Sequence, residues 1–209
     1  MKPVIGIINR KGIINNKTKI LYQYKEISQI IEKLNAIPIG INPNIEELKL
    51  VNGIILQGGD EYEQKELEII KYAYEFDIPL LGICLGMQIM GLCTCGLEER
   101  IFNHMKPNID KVHEVYIKKD TKIYEILKKE KIIVNSRHNY QIKNTTLEVS
   151  GYSNDDVIEV IEDKNKNFFI GIQWHPESLN NIDTIKIFNY FIEKASEYDP
   201  KRNFKNNSW

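Results

Sequence analysis

The segment "IPLLGICLGMQIM", residues 78–90, constrains the fold of this chain more than any other stretch. An apolar run of strand length enters a cysteine with a glycine two residues to either side, then continues as an apolar stretch of helical length. A strand with no polar face belongs inside a parallel sheet, because crossover connections lay helices on both of its faces. Gly82-Ile83-Cys84-Leu85-Gly86 has the glycine-x-nucleophile-x-glycine spacing of a sharp strand-to-helix turn. That turn forces its central residue into strained backbone and brings the two flanking glycine positions together, where a Cβ would collide. The Cys84 thiol is left projecting beside a helix start. The free N–H groups there favour an anion, and the N–H of Leu85 is the natural first donor. Taken alone, Cys84 is read equally well as a small buried hydrophobe.

The rest of the chain repeats the alternation. "PVIGII", "AIPIGI" and "VNGIILQGG" read as strands, while "ILYQYKEISQIIEKL" and "KELEIIKYAYEF" carry helical periodicity. Beyond the helix at Cys84 the strands come closer together: "KVHEVYI", "KIIVNS", "LEVSGY", "DVIEVIE" and "NFFIGIQW", interrupted by a small helix around "KIYEILKKE". "IDTIKIFNYFIEKA" reads as a closing helix. No internal repeat or linker divides this pattern, so residues 1–198 are expected to form one domain, with "DPKRNFKNNSW", residues 199–209, as a flexible tail.

A second motif changes the reading of the cysteine. "GIQWHPES" ends a strand in His175 and Glu177 around Pro176. In extended chain, residues two apart face the same side, so the Glu177 carboxylate reaches one imidazole nitrogen and turns the other toward a nucleophile. Pro176 holds the residue before it extended. A cysteine, a histidine and a carboxylate, each at a strand end, make a mere surface turn a poor description of the set.

Composition narrows the partners. The formal net charge of −1, with 27% charged and 42% hydrophobic residues, gives no electrostatic reason to expect nucleic acid or an anionic membrane. No segment reaches transmembrane length and the start, "MKPVIGIINR", lacks a signal-peptide core, which points to the cytoplasm. Cys93-Thr94-Cys95 lacks the second pair of a zinc site, so no metal and no cofactor is assigned. His104 and His113 read as solvated or structurally hydrogen-bonded, Arg10 as an exposed loop residue, and "KKDTKIYEILKKEK" as a solvated helix face.

"GICLGMQ" together with "GIQWHPE" resembles the class I glutamine amidotransferase superfamily, whose Cys-His-Glu triad cleaves γ-glutamyl amides. "VNGIILQGGD" is similar to that superfamily's oxyanion strand, and "KIIVNSRHNYQI" to its substrate loop. The resemblance implies a flavodoxin-like α/β fold, an open and mostly parallel sheet with helices on both faces. It also implies Cys84 as nucleophile, His175 as base and Glu177 as its orienting partner. The oxyanion would be held by backbone N–H groups of Leu85 and of the Gly58-Gly59 turn, and Gln88 would contact the glutamyl group. Asn135, Ser136, Arg137 and His138 would line the pocket, with Arg137 free to pair a carboxylate.

"VNSRH" and "DVIEVIE" are most similar to the γ-glutamyl hydrolase branch that includes γ-glutamyl-γ-aminobutyrate hydrolase, which implies a stand-alone hydrolase working through a γ-glutamyl thioester. Leu85 stands where that branch usually has arginine, and "GGDEYEQKE" passes straight into a helix; both features lean toward glutaminase subunits that deliver ammonia to a synthase chain. A separate synthase and a homodimer therefore stay open as partners. A non-catalytic binding or redox-sensing module is a remote third reading, since it has no use for the His-x-Glu pair.

Overall fold

The structure, a computed structural model, describes residues 1–201, so the tail segment from 202 onward lies outside the described residues. β1 (Val4–Ile8) opens the chain, followed by a hairpin of β2 (Arg10–Ile14) and β3 (Thr18–Tyr22), α1 (Lys25–Lys33) and β4 (Ile37–Ile41). Then come α2 (Ile45–Leu48), β5 (Gly53–Leu56), α3 (Gln64–Glu75), β6 (Leu80–Ile83) and α4 (Leu85–Cys93). The second half runs β7 (Leu97–Arg100), β8 (His113–Ile117), α5 (Lys122–Leu127), β9 (Lys131–Val134), β10 (Tyr140–Lys143), β11 (Glu148–Ser153), β12 (Ile158–Glu162) and β13 (Phe169–Ile172). A short 3-10 turn at Pro176–Ser178 and α6 (Ile182–Glu197) follow.

Nine of these strands form one sheet in the order β4-β1-β5-β6-β13-β12-β11-β8-β9. The five from β4 to β13 are mutually parallel, and the remaining four continue antiparallel. The two faces are filled by strict alternation. Ile5, Ile7, Ile55, Leu81 and Ile83 point to one side, against Ile27 and Ile31 of α1 and Phe188 and Phe191 of α6. Ile8, Ile54, Leu56 and Leu80 point to the other, against Ile69 and Ile70 of α3 and Met87 and Met90 of α4. The mostly parallel sheet with helices on both faces is the architecture expected from the sequence.

Two local expectations are corrected. The chain from Arg10 to Tyr22 forms the β2–β3 hairpin, and the helix read from Ile20 onward begins only at Lys25. Ile13, Ile14 and Leu21 are exposed there, so the apolar residues that mimic a helical stripe have no core to face. A second ribbon, β7 with β10, was not anticipated; all four residues of β7, Leu97 to Arg100, are exposed and carry no alternating apolar signal.

The topology aligns three carboxyl ends. β5, β6 and β13 are adjacent and parallel, so Gly58-Gly59, Cys84 and the segment leading to His175 leave the same edge of the sheet side by side. The turn at Cys84 needs the space its glycines leave. A Cβ on Gly86 would lie 2.0 Å from the Leu56 carbonyl oxygen, and one on Gly82 would lie 2.8 Å from the backbone carbon of Gly86. Gly86→Ala is therefore expected to cost about 3 kcal/mol, the upper part of the usual overpacking range. Urea unfolding checks this, and a loss below about 0.5 kcal/mol would mean that the helix can move off β5.

Candidate active site

Cys84 occupies the junction of β6 and α4 with φ 52° and ψ −107°, a backbone conformation that side-chain-bearing residues rarely adopt. It is held from both sides. Its N–H donates to Ile172 O of β13 at 2.8 Å, and its carbonyl accepts from Gln88 N at 3.1 Å. Leu85 is the first residue of α4, so its N–H has no acceptor within the helix.

His175 comes to Cys84 because β13 runs beside β6, with Ile172 paired to Ile83. Its peptide is clamped by Asn135: His175 N donates to Asn135 Oδ1 at 2.8 Å, and Asn135 Nδ2 donates to His175 O at 2.8 Å. His175 Nδ1 lies 2.7 Å from Glu177 Oε1, which fixes the tautomer with the proton on Nδ1 and leaves Nε2 for the Cys84 side. The pairing arises differently from the sequence expectation. His175, at φ −104° and ψ 85°, stays out of the helical region that its following proline disfavours but is short of fully extended, and Glu177 lies in the 3-10 turn that starts at Pro176. The carboxylate is thus folded back onto the ring rather than carried two positions along a strand.

Burial by itself lowers the pKa of His175, but hydrogen bonds with the Cys84 and Glu177 side chains, together with their charges, outweigh it and raise the value to about 10. The imidazolium form is accordingly favoured beside the sulfur. Tyr24 closes this side with its ring edge toward His175, centroids 6.4 Å apart. Burial first, then the neighbouring Tyr22, Cys84, Glu177 and Asp60 charges, push its phenol up to about 12.

The paired glycines lie against the site. A Cβ on Gly58 would stand 2.8 Å from His175 Cε1 and 3.6 Å from Cys84 Cβ, so only glycine permits this approach. Arg10 fixes their peptide planes: Nε donates to Gly58 O at 3.1 Å, Nη2 to Gln57 O at 2.7 Å, and Nη1 to both Glu66 carboxylate oxygens at 2.6 Å. Arg10 is 3% exposed, which corrects its reading as a solvated loop residue. Gln57 completes the brace, donating to Ile8 O and Tyr22 O and accepting from Tyr24 N.

Two adjoining cavities share Cys84, Gly59, Asp60 and Arg137 as wall. One, about 440 Å³, adds Leu85, Gln88, His138 and the carboxylates Glu61 and Glu98. The other, about 350 Å³, adds Tyr24, His175 and Glu177. Of the four loop residues expected to line the pocket, Arg137 and His138 do so. Asn135 and Ser136 are fully buried instead, the first clamping His175 and the second 3.2 Å from His104 Nδ1. Gln88 Nε2 donates to Tyr140 O at 2.9 Å and Gln173 Oε1 at 3.3 Å, leaving its carbonyl as the side-chain atom open to a ligand. His104 and His113 are not solvated but pack with His138 around Glu159, which is wholly buried.

A family model described as peptidase C26 matches residues 60–177, more than half of the chain, and takes in both the cysteine turn and the His-Pro-Glu segment. The chain belongs to the peptidase C26 family. This bears out the resemblance to class I glutamine amidotransferases, and membership implies an enzyme that hydrolyses amide bonds. Among relatives of this peptidase C26 chain, a CTP synthase of Nautilia profundicola is 29% identical over 192 residues, covering 69% of this chain and 35% of the relative. The chain thus spans about a third of the length of such synthases. A glutamine amidotransferase-like protein of Rickettsia prowazekii is 27% identical, with 85% of this chain and 82% of the relative covered. The solved glutaminase domain of a Trypanosoma brucei CTPS, with acivicin bound, superposes with a TM-score of 0.75 over 95% of each chain at 16% identity, a likeness of fold. Among the described residues no helix is long and apolar enough to cross a membrane.

The coupling of Cys84 to His175 has a measurable consequence. Because the folded value of about 10 exceeds the ordinary 6.5, the stabilisation from the charged ring is complete below about pH 6.5 and is lost as the pH rises through about 10. Cys84→Ala removes one of the two partners that act against burial, so the ring is expected to titrate at lower pH than in the wild type. NMR titration of the ring nitrogens reads this directly, and an unchanged His175 pKa in the variant would contradict the pairing.

Proposed function

We propose that this peptidase C26 chain is a glutaminase that cleaves the side-chain amide of glutamine to glutamate and ammonia, with the ammonia consumed by a synthase partner. The reading is carried by the turn at Cys84, where φ is 52° and the sulfur shares His175 with Glu177. The CTP synthases matched over about a third of their length favour this role above the stand-alone γ-glutamyl hydrolase to which the sequence motifs first pointed.

In the proposed reaction the Cys84 sulfur attacks the amide carbon, and the oxyanion is held by the N–H of Leu85 and the Gly58-Gly59 backbone. His175 gives the proton on Nε2 to the departing nitrogen, and ammonia leaves. Water then attacks the γ-glutamyl thioester as His175 Nε2 takes its proton, releasing glutamate and restoring Cys84. Glu177 holds the ring through Nδ1 and gains importance when the ring is charged. The larger cavity suits a free amino acid. Arg137, which lines the cavity with its Nη2 3.6 Å from Asp110 Oδ1, would turn to pair an α-carboxylate, and Asp60, Glu61 and Glu98 offer negative charge to an α-ammonium.

Steady-state kinetics with the pure chain test this on glutamine and on γ-glutamyl-γ-aminobutyrate. Glutamate and ammonia are expected in equal amounts, with the higher kcat/KM on glutamine. Cys84→Ala should abolish turnover, His175→Ala should lower kcat by about 100- to 10,000-fold, and Glu177→Gln should lower it less. Faster cleavage of the larger substrate would restore the stand-alone hydrolase, and full activity of Cys84→Ala would remove the proposed nucleophile.

A further inference from the structure

We infer that His104, His113, His138 and Glu159 form a binding site for a divalent transition-metal ion, with zinc as the best fit. Glu159 is fully buried in β12, and neither of its carboxylate oxygens has a hydrogen-bond partner among the described residues; Nε2 of His113 is likewise unpartnered. A carboxylate in that condition is strongly disfavoured unless a cation joins it.

Four of the six edges of the cage are close to those of a tetrahedral ion. Zinc bonds of about 2.0–2.1 Å to nitrogen and oxygen hold the ligand atoms about 3.3–3.4 Å from one another. Here His104 Nδ1 and His138 Nε2 are 3.2 Å apart, and Glu159 Oε1 lies 3.4 Å from His113 Nε2, 3.6 Å from His138 Nε2 and 3.7 Å from His104 Nδ1. One donor atom from each of the four residues lies within 4.8 Å of every other.

The outer nitrogens decide the protonation. His138 Nδ1 is 3.0 Å from Tyr140 O, His113 Nδ1 is 3.3 Å from Glu114 O, and His104 Nε2 is 3.1 Å from Asp155 Oδ2. Each of these partners is an acceptor, so each ring keeps its proton on the outer nitrogen and turns a lone pair inward. The Ser136 hydroxyl, 3.2 Å from His104 Nδ1, offers one donor; the other lone pairs and the carboxylate around the same point are acceptors, an arrangement that a cation at its centre satisfies. Carbonyl and carboxylate partners that fix ligating histidines in this way are the usual second layer of a metal site.

Four protein ligands close the coordination, which makes the ion structural rather than a second reaction centre. It would pin two loops to the sheet, since His113 and Glu159 belong to β8 and β12 while His104 and His138 come from irregular segments. Those segments also supply Met105 and Arg137, which bridge to each other and wall the larger cavity.

The inference is tested without reference to activity. The full chain, with Cys84, Cys93 and Cys95 alkylated to silence thiolate binding, is stripped with chelator and titrated with zinc ion alone by calorimetry. One ion per chain is expected, together with a raised Tm, and cobalt(II) should give the visible bands of a tetrahedral nitrogen–oxygen site. In the unsubstituted sequence, the ring nitrogens of His104, His113 and His138 should shift in NMR on zinc addition while His175 does not. Glu159→Gln, if its spectrum is native, should weaken binding by about tenfold or more. If that variant does not fold, the histidine shifts decide. Absence of those shifts, or zinc binding that Glu159→Gln leaves unchanged, would overturn the site and leave the cage neutralised by protons.

Discussion

The Leu56 carbonyl oxygen occupies the place where a side chain on Gly86 would begin, and this contact governs much of the molecule. With helix α4 set so close to β5 and β6, the chain has room for only one abrupt turn, and Cys84 must take the φ of 52° that the turn demands. The strain is sustained by what surrounds it: a hydrogen bond to β13, the start of a helix, and a core packed on both faces of the sheet. Placing the sulfur therefore follows from close packing of backbone against backbone, and needs no flexible arm to deliver it.

Around that point, buried polar side chains do the positioning. Asn135 bonds both the N–H and the carbonyl of His175, and Arg10 bonds the carbonyls of Gln57 and Gly58 while its charge is matched by Glu66. Arg10 and Glu66 are 3% and 1% exposed, so removing either would strand the other charge in the interior. These braces act on backbone segments that carry the candidate nucleophile's partners, which is why residues remote from the thiol in sequence bear on its chemistry. The three adjacent parallel strand ends gather the braced segments, Arg10 reaching across from the end of β1 to that of neighbouring β5, while Asn135 reaches His175 from the end of β9 at the far edge of the sheet.

Much of this was legible in the sequence where a residue pattern reports a local requirement. The glycines around Cys84 announce a turn, and the continuous apolar strands "VNGIIL" and "IPLLGI" announce a parallel sheet. The hairpin from Arg10 to Tyr22 was hidden because Ile20, Leu21 and Tyr22 extend the spacing of α1 when the bend before Lys25 is not seen. The short ribbon of β7 with β10 carries no periodic signal in its first strand. Tyr24, Gln57 and the clamping role of Asn135, which the sequence placed only in the pocket wall, were out of reach for another reason: they consist of contacts between segments tens of residues apart. Glu159 had a clue, a carboxylate inside the apolar run "DVIEVIE", but nothing local says that His104, His113 and His138 converge on it.

The central claim is that Cys84 forms a covalent γ-glutamyl thioester, and rapid acid quenching of the protein during turnover of glutamine tests it most directly. Intact-mass and peptide mass spectrometry should show one glutamyl group added to the peptide that contains Cys84, with the adduct lost on longer incubation. Glutamate release with no adduct at any time under single-turnover conditions, or an adduct on Cys93 or Cys95, would contradict the account.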